Sequence, residues 1–134
     1  MNPPSTNRPT SGHRTLHLLT LALSLVAVMV LLIPMRQHEG LQLLFNLAHV
    51  PGFALIALCW AENLLARGWS RRRRLLTMAV VALLMAAATE ALQAHVPGRY
   101  ADLGDMARNA LGIALGLGLH ARWPGLLASR FERD

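Results

Sequence analysis

Four apolar stretches, separated by short polar segments, run along the chain. The first, Leu16 to Ile33, holds eighteen residues without a formal charge, which is enough to cross the hydrocarbon core of a bilayer as a helix. The second is interrupted by polar residues, and its span is placed at residues 46–66. The third covers residues 75–92 and the fourth about 106–121. This pattern predicts an all-α fold, a bundle of four transmembrane helices.

Polar segments flank this membrane domain, which is placed at residues 15–121. Residues 1–14 are rich in Pro, Ser, Thr and Asn, a composition that predicts a disordered tail. Residues 122–134 form a second polar tail. A cleaved signal peptide is the alternative for the first stretch, because Arg8 and Arg14 precede it. Its apolar run is long for that role and no small-residue cleavage site follows, which favours a retained helix.

Composition and charge agree with a lipid environment. Hydrophobic residues make up 54% of the chain and charged residues 15%, whereas soluble domains carry about a quarter charged residues. The net charge of +6 raises nucleic acid as a partner. The arginines, however, sit at the ends of the apolar stretches, as orientation signals do, so no nucleic-acid partner is expected.

The positions of the arginines predict the topology. The two tails hold two and three arginines, and the middle loop holds five, Arg67 and Arg71–Arg74. The other two connections hold only Arg36, Arg99 and Arg108. Because positive charge is retained in the cytoplasm, both tails are predicted to be cytoplasmic, in a multi-pass protein of the inner (plasma) membrane. Binding of anionic lipid or nucleic acid by the arginine run is the alternative.

Several polar residues gather near the predicted outer ends of the spans, where ionisable groups are costly and usually have a partner or a task. Glu90 and Gln93 share one face of the third span. A single stripe of the fourth span carries Asp105, Arg108, Asn109, Gly112 and Gly116. Its Gly112 and Gly116 form a GxxxG surface for helix packing. The short connection lets the last two spans pack antiparallel, so that their polar ends meet.

These residues allow more than one interpretation. Glu90 with His49 is a candidate acid/base pair, and Arg99 with nearby amides would suit an anionic head group. His, Glu and Asp together can hold a divalent metal, but their spacing fits no known motif, so no metal site and no cofactor is predicted. In the purely structural alternative, Asp105 is a helix N-cap that Arg108 neutralises, and Glu90 pairs with Arg99.

The order and spacing of these residues resemble a known family, the VanZ-like membrane proteins. The matching pattern is Glu90-x-x-Gln93, then Arg99, then Asp105-x-x-x-Asn109-x-x-Gly112-x-x-x-Gly116, with His49 upstream. It covers roughly residues 40–120. One departure is Phe45-Asn46, where members of the family often have Asp-Lys.

The resemblance implies an envelope function and a functional site, without naming a substrate. The family takes its name from a protein that accompanies glycopeptide resistance, notably to teicoplanin, in Gram-positive bacteria. The expected partners are therefore membrane lipids and a lipid-linked envelope precursor or a glycopeptide, and an oligomer is compatible with the sequence. The candidate ligand-binding residues are Gln93, Arg99, Asp105 and Asn109.

Three functions remain open at this point. The first is an accessory protein that binds a lipid-linked or anionic ligand at the outer leaflet. The second is an enzyme that acts on a lipid or cell-wall precursor, with Glu90 and His49 as acid and base. The third is a structural or assembly subunit whose polar cluster only locks the helices together.

Overall fold

The structure, a computed structural model, describes residues 11–31, 39–97, 102–127 and 129. This part of the chain forms four helices and no strand: α1 (Ser11–Leu31), α2 (Glu39–Ala66), α3 (Arg71–Gln93) and α4 (Leu103–Arg122). The predicted all-α fold is confirmed.

The helices extend beyond the predicted spans. Ser11 to Arg14, assigned to the disordered tail, already belong to α1, and Arg71 to Arg74, assigned to the middle loop, form the first turn of α3. The membrane limits the length of an apolar run but not that of a helix. Arginine is a good helix former, so a helix can continue into the polar zone.

The start of α4 also differs from the sequence interpretation. Asp102, and not Asp105, is the N-cap, and its Oδ1 accepts a hydrogen bond from the Gly104 amide at 2.8 Å. Asp105 lies in the first turn of the helix and is buried. The side chain of Asp105 is therefore available for contacts inside the bundle.

Among the described residues, three helical segments are long and apolar enough to cross a membrane, namely Gly12–Val30, Asn46–Ala66 and Arg71–Gln93. Helix α4 is not among them, because polar residues occupy its inner face. The buried side of α4 carries Asp105, Asn109, Gly112, Ile113, Gly116 and His120. Its outward side exposes the large apolar residues Met106, Leu111, Leu115 and Leu119, as expected of a helix that faces lipid.

The most extensive packing in the bundle joins α2 and α4. His49 contacts Asn109 and Glu62 contacts His120, so the two helices run parallel, and α3 runs antiparallel to both. The GxxxG surface of α4 faces α2. A Cβ at Gly112 would clash with the carbonyl oxygen of Val50.

Gly116 makes the same kind of contact one turn further along, where a Cβ would clash with the backbone carbonyl of Ala54. Only residues without a side chain permit two helix backbones to approach this closely. The packing role predicted for both glycines agrees with this geometry, but the helix that they contact is α2 and not the sequence neighbour α3.

Small side chains complete the centre of the bundle. The buried apolar cluster consists of Phe53 and Ala57 from α2, Ala82 and Ala86 from α3, and Ile113 from α4. Its alanines keep α3 close to the α2–α4 pair.

Helix α1 lies at the side of this unit and is joined to α2 by polar contacts. Asn63 Nδ2 donates to Thr20 Oγ1 at 2.6 Å, and Trp60 Nε1 donates to Ser24 Oγ at 3.0 Å. Interhelical hydrogen bonds of this kind fix the register of helices in lipid, where apolar contacts alone discriminate little.

We expect Gly112→Ala to destabilise the protein, because the added methyl group must push α4 away from the Val50 carbonyl. Overpacking of this kind costs about 1–3 kcal/mol. The measurement is thermal unfolding of the purified protein in detergent. Gly118→Ala is the matched control on the same helix, since a Cβ there meets no atom of the described chain within 4 Å. Equal melting of the two variants would contradict the close approach.

Candidate functional site

A cluster of buried polar side chains lies where α2 begins, α3 ends and α4 begins. It contains five of the residues predicted from the sequence, and the fractional exposures of the four central ones are 1% for His49, 4% for Glu90, 6% for Asp105 and 0% for Asn109. Gln93, one turn from Glu90, is also buried. Arg99, the remaining candidate, lies outside the described residues. The structure thus brings together side chains from three helices.

Asn109 is the centre of this cluster. Its Nδ2 donates to Glu90 Oε1 at 3.3 Å, and its Oδ1 lies 2.7 Å from His49 Nδ1. A carboxylate only accepts hydrogen bonds, so the contact with Glu90 fixes which end of the amide carries the hydrogens. The Oδ1 atom is therefore an acceptor, and His49 donates to it from a protonated Nδ1.

The other ring nitrogen of His49 faces into the cluster. Nε2 is buried without a hydrogen-bond partner among the described residues. It carries a lone pair in the neutral ring and a hydrogen in the protonated ring. Asp105 Oδ2 lies 3.8 Å from it. With the ring neutral, two acceptors face each other across a short distance, which is favourable only when a cation or a hydrogen-bond donor joins them. With the ring protonated, the two side chains form an ion pair.

The opposite oxygen of Asp105 is paired with Arg108. Arg108 Nη1 donates to Asp105 Oδ1 and also lies 3.8 Å from Asp102 Oδ2. Glu90 Oε2 accepts from the Asp102 amide at 3.4 Å. Arg108 thus neutralises Asp105, as in the structural alternative. It compensates only part of the acidic charge of Glu90, Asp102 and Asp105.

A second buried polar cluster lies at the other end of the bundle. His120 Nδ1 is 2.6 Å from Glu62 Oε1, and Arg74 Nε donates to His120 Nε2 at 3.2 Å. Both oxygens of Glu62 also accept backbone amides, from Gly125 at 3.0 Å and from Leu127 at 3.3 Å. Every ring nitrogen of His120 and every carboxylate oxygen of Glu62 has a partner within the protein. Such complete pairing is typical of a cluster that stabilises the fold.

Sequence reasoning missed this second cluster. Glu62 has no role in the predictions from the sequence, and Arg74 is counted there only as a topology signal. The available clue was an acidic residue inside an apolar stretch, since such a group needs a partner in lipid. His120 is far away in sequence and sits near the end of the last span, so spacing gave no reason to connect them.

Comparison with known proteins agrees with this architecture. A family model described as VanZ/LLP1 matches residues 4–124. The chain belongs to the VanZ/LLP1 family. The resemblance predicted from Glu90, Gln93, Asn109 and the glycine stripe is thereby confirmed. The match covers all four helices and both polar clusters of this VanZ-like membrane protein. Comparisons with curated proteins and with solved structures find no match.

We expect Glu62→Ala to destabilise the protein strongly, because it leaves His120 and Arg74 buried without their carboxylate partner. Removing one member of a buried charged network costs about 3–5 kcal/mol. Thermal unfolding in detergent measures the loss, and exposed Asp102→Asn, which preserves a good N-cap, serves as the control. A Glu62→Ala protein that melts like the control would show that the cluster contributes little.

Proposed function

We propose that this VanZ-like protein acts in the bacterial cell envelope by binding the polar head group of an envelope lipid or lipid-linked precursor at the outer leaflet. The observation that carries the proposal is the pair formed by His49 Nε2 and Asp105 Oδ2 at 3.8 Å. Both atoms are buried, and the contact of His49 with Asn109 holds Nε2 toward Asp105, where it has no hydrogen-bond partner among the described residues. A protein that needed only a rigid bundle would gain more from a self-satisfied pair, such as Glu62 with His120.

In this proposal the predicted site residues have different roles, which we assign from their contacts. Both polar atoms of the Asn109 amide contact other site residues, His49 and Glu90, so Asn109 positions these two side chains. Direct contact with the ligand falls to His49, Glu90 and Asp105, which accept hydrogen bonds from hydroxyl or amide groups. Gln93 and Arg99 complete the site in the proposal, and Arg99 supplies the positive charge that a phosphate group requires. A role in teicoplanin-type glycopeptide resistance would follow if the ligand is a cell-wall precursor.

An enzyme acting on a lipid or cell-wall precursor is the second candidate, and one observation favours it. A histidine whose Nδ1 donates to a fixed acceptor, with a free lone pair on Nε2, has the arrangement of a general base. His49 has this arrangement, with Glu90 as the predicted acid partner. Turnover of a purified precursor that disappears in both Glu90→Gln and His49→Ala would establish this candidate over simple binding.

We also propose that all four helices cross the inner membrane, with both termini in the cytoplasm. The apolar outward side of α4 supports a fourth crossing, because its polar residues are turned toward α2 and α3. The arginine-rich start of α3 supports a cytoplasmic middle loop. This places the His49 cluster at the outer side of the membrane.

Reporter fusions test this topology. A periplasmic reporter joined at the α1–α2 or α3–α4 connection is expected to be active, and one joined after Gly68 or at the C-terminus is expected to be inactive. A cytoplasmic reporter should give the reverse pattern at each position. An active periplasmic reporter beside Arg71–Arg74 would contradict the topology and move the cluster to the cytoplasmic side.

Binding is tested by thermal stabilisation of the purified protein against a panel of envelope lipids, lipid-linked precursors and glycopeptides. A ligand present at about 100 times its Kd stabilises the folded state by about 2.7 kcal/mol. Glu90→Gln keeps the shape of the side chain and removes its charge, so we expect it to fold and to lose this stabilisation. Asp102→Asn, at the same end of the bundle, should respond like the wild type.

The accessory binding protein and the structural subunit give different results in this experiment. Stabilisation that Glu90→Gln abolishes, without turnover, supports the accessory binding protein. Absence of any response across the panel, together with loss of Glu90→Gln protein from the membrane, supports the structural subunit. Equal stabilisation of the wild type and Glu90→Gln would place binding elsewhere on the molecule.

A further inference from the structure

We propose that His49, Glu90 and Asp105 form a binding site for one divalent metal ion, Zn²⁺ or Mn²⁺. Each residue offers one ligand atom, and these atoms lie within 4.8 Å of one another. The purpose of the ion rests on the proposed function: once bound, the ion would contact an anionic head group in place of the direct hydrogen bonds to His49, Glu90 and Asp105. Binding of the ion itself can be tested without any lipid.

The distances suit a shared ion after small side-chain adjustments. Ligand atoms about 2.0–2.2 Å from a zinc ion are roughly 3–4 Å apart from one another. The His49 Nε2 to Asp105 Oδ2 distance of 3.8 Å falls in this range. Rotation of the Glu90 and Asp105 carboxylates would bring all three ligand atoms to this spacing, while the backbones of the three helices stay in place.

The state of His49 is an independent sign of a ligand at this position. Histidine binds metals as the neutral ring, and the nitrogen that does not ligate the metal usually donates its hydrogen to a fixed acceptor. Asn109 Oδ1 is this acceptor, at 2.7 Å from Nδ1. The remaining nitrogen, Nε2, is buried, points toward Asp105, and has no hydrogen-bond partner in the described part of the chain.

A comparison within the molecule shows that this arrangement is specific to one end of the bundle. His120 is equally buried, but Arg74 contacts its Nε2 and Glu62 contacts its Nδ1. The same bundle therefore contains one buried histidine with both nitrogens in use and one with a nitrogen left over. Of the two clusters, only the one around His49 has a buried ring nitrogen without a hydrogen-bond partner among the described residues.

Charge balance also favours a dication. Glu90 and Asp105 are both buried, and the paired cation found for them among the described residues is Arg108, which contacts Asp105. Buried carboxylates in a membrane protein are costly unless they are paired. A divalent ion would offset the one negative charge that Arg108 leaves on Glu90 and Asp105, and its second positive charge would be available to an anionic head group.

The donor set selects the kind of ion. Carboxylate ligands alone suit Mg²⁺, Ca²⁺ and Mn²⁺, whereas imidazole favours Zn²⁺ and other transition metals. One imidazole with two carboxylates therefore suits Zn²⁺ or Mn²⁺. Sequence spacing could not reveal the set, because its three ligands come from three different helices and no two of them are close in sequence.

The test uses the full chain, purified in detergent, stripped with a chelator and dialysed, and then titrated with ZnCl₂ or MnCl₂ alone. Calorimetry and elemental analysis are expected to show one ion per chain. Asp105→Asn and Glu90→Gln should each weaken binding by at least the roughly 10–100-fold that is typical when a residue supporting a metal site is lost. Asp102→Asn removes a carboxylate at the same helix end but outside the set, and should bind like the wild type.

A second measurement on the wild type does not depend on how the variants fold. Nitrogen NMR of the histidine rings is expected to show a shift of His49 Nε2 on addition of Zn²⁺, while Nδ1 keeps its hydrogen and the His120 signals stay unchanged. Failure of the wild type to retain either ion would overturn the proposal. So would uptake that persists undiminished in Asp105→Asn and Glu90→Gln, or a bound ion that leaves His49 Nε2 unshifted.

The metal proposal and the binding function can fail separately. If the ion does not bind but the lipid panel still stabilises the protein, only the metal site is wrong. If the ion binds at His49 and no member of the panel has an effect with or without it, the proposed function is wrong and the metal site stands.

Discussion

The backbone contact between α2 and α4 determines where the polar residues of this membrane protein can meet. Gly112 and Gly116 let α4 approach the carbonyls of Val50 and Ala54, and the two polar clusters lie beyond either end of this contact. With bulkier residues there, the helices would separate and His49 would lose Asn109. Lipid offers no hydrophobic penalty for such a separation, so close packing and hydrogen bonds must hold the pair together.

The two polar clusters contain similar residue types but differ in how fully their polar atoms are paired. Glu62, His120 and Arg74 satisfy one another and two backbone amides, so they hold the chain after α4 against the bundle. The cluster around Asn109 leaves His49 Nε2 and Asp105 Oδ2 facing each other. One cluster is complete by itself, whereas the other leaves His49 Nε2 without a hydrogen-bond partner among the described residues.

Much of the architecture could be predicted from the sequence, because apolar runs and the stripe of α4 are local patterns. The pairing of α3 with α4 followed from a short connection. The partner of Gly112 did not, since nothing in the spacing indicates that α2 lies beside α4. The cluster of Glu62 and His120, and the approach of His49 to Asp105, escaped prediction for the same reason: each joins residues distant in the chain.

Helix α1 illustrates how a membrane helix can be attached through very few positions. Thr20 and Ser24 receive hydrogen bonds from Asn63 and Trp60, while much of the remaining surface of α1 exposes leucine, valine and methionine. Lipid accepts any of these apolar side chains about equally well. Apolar residues over the outward surface of α1 are therefore interchangeable, whereas its register depends on Thr20, Ser24 and His17, whose ring packs edge-on against Trp60.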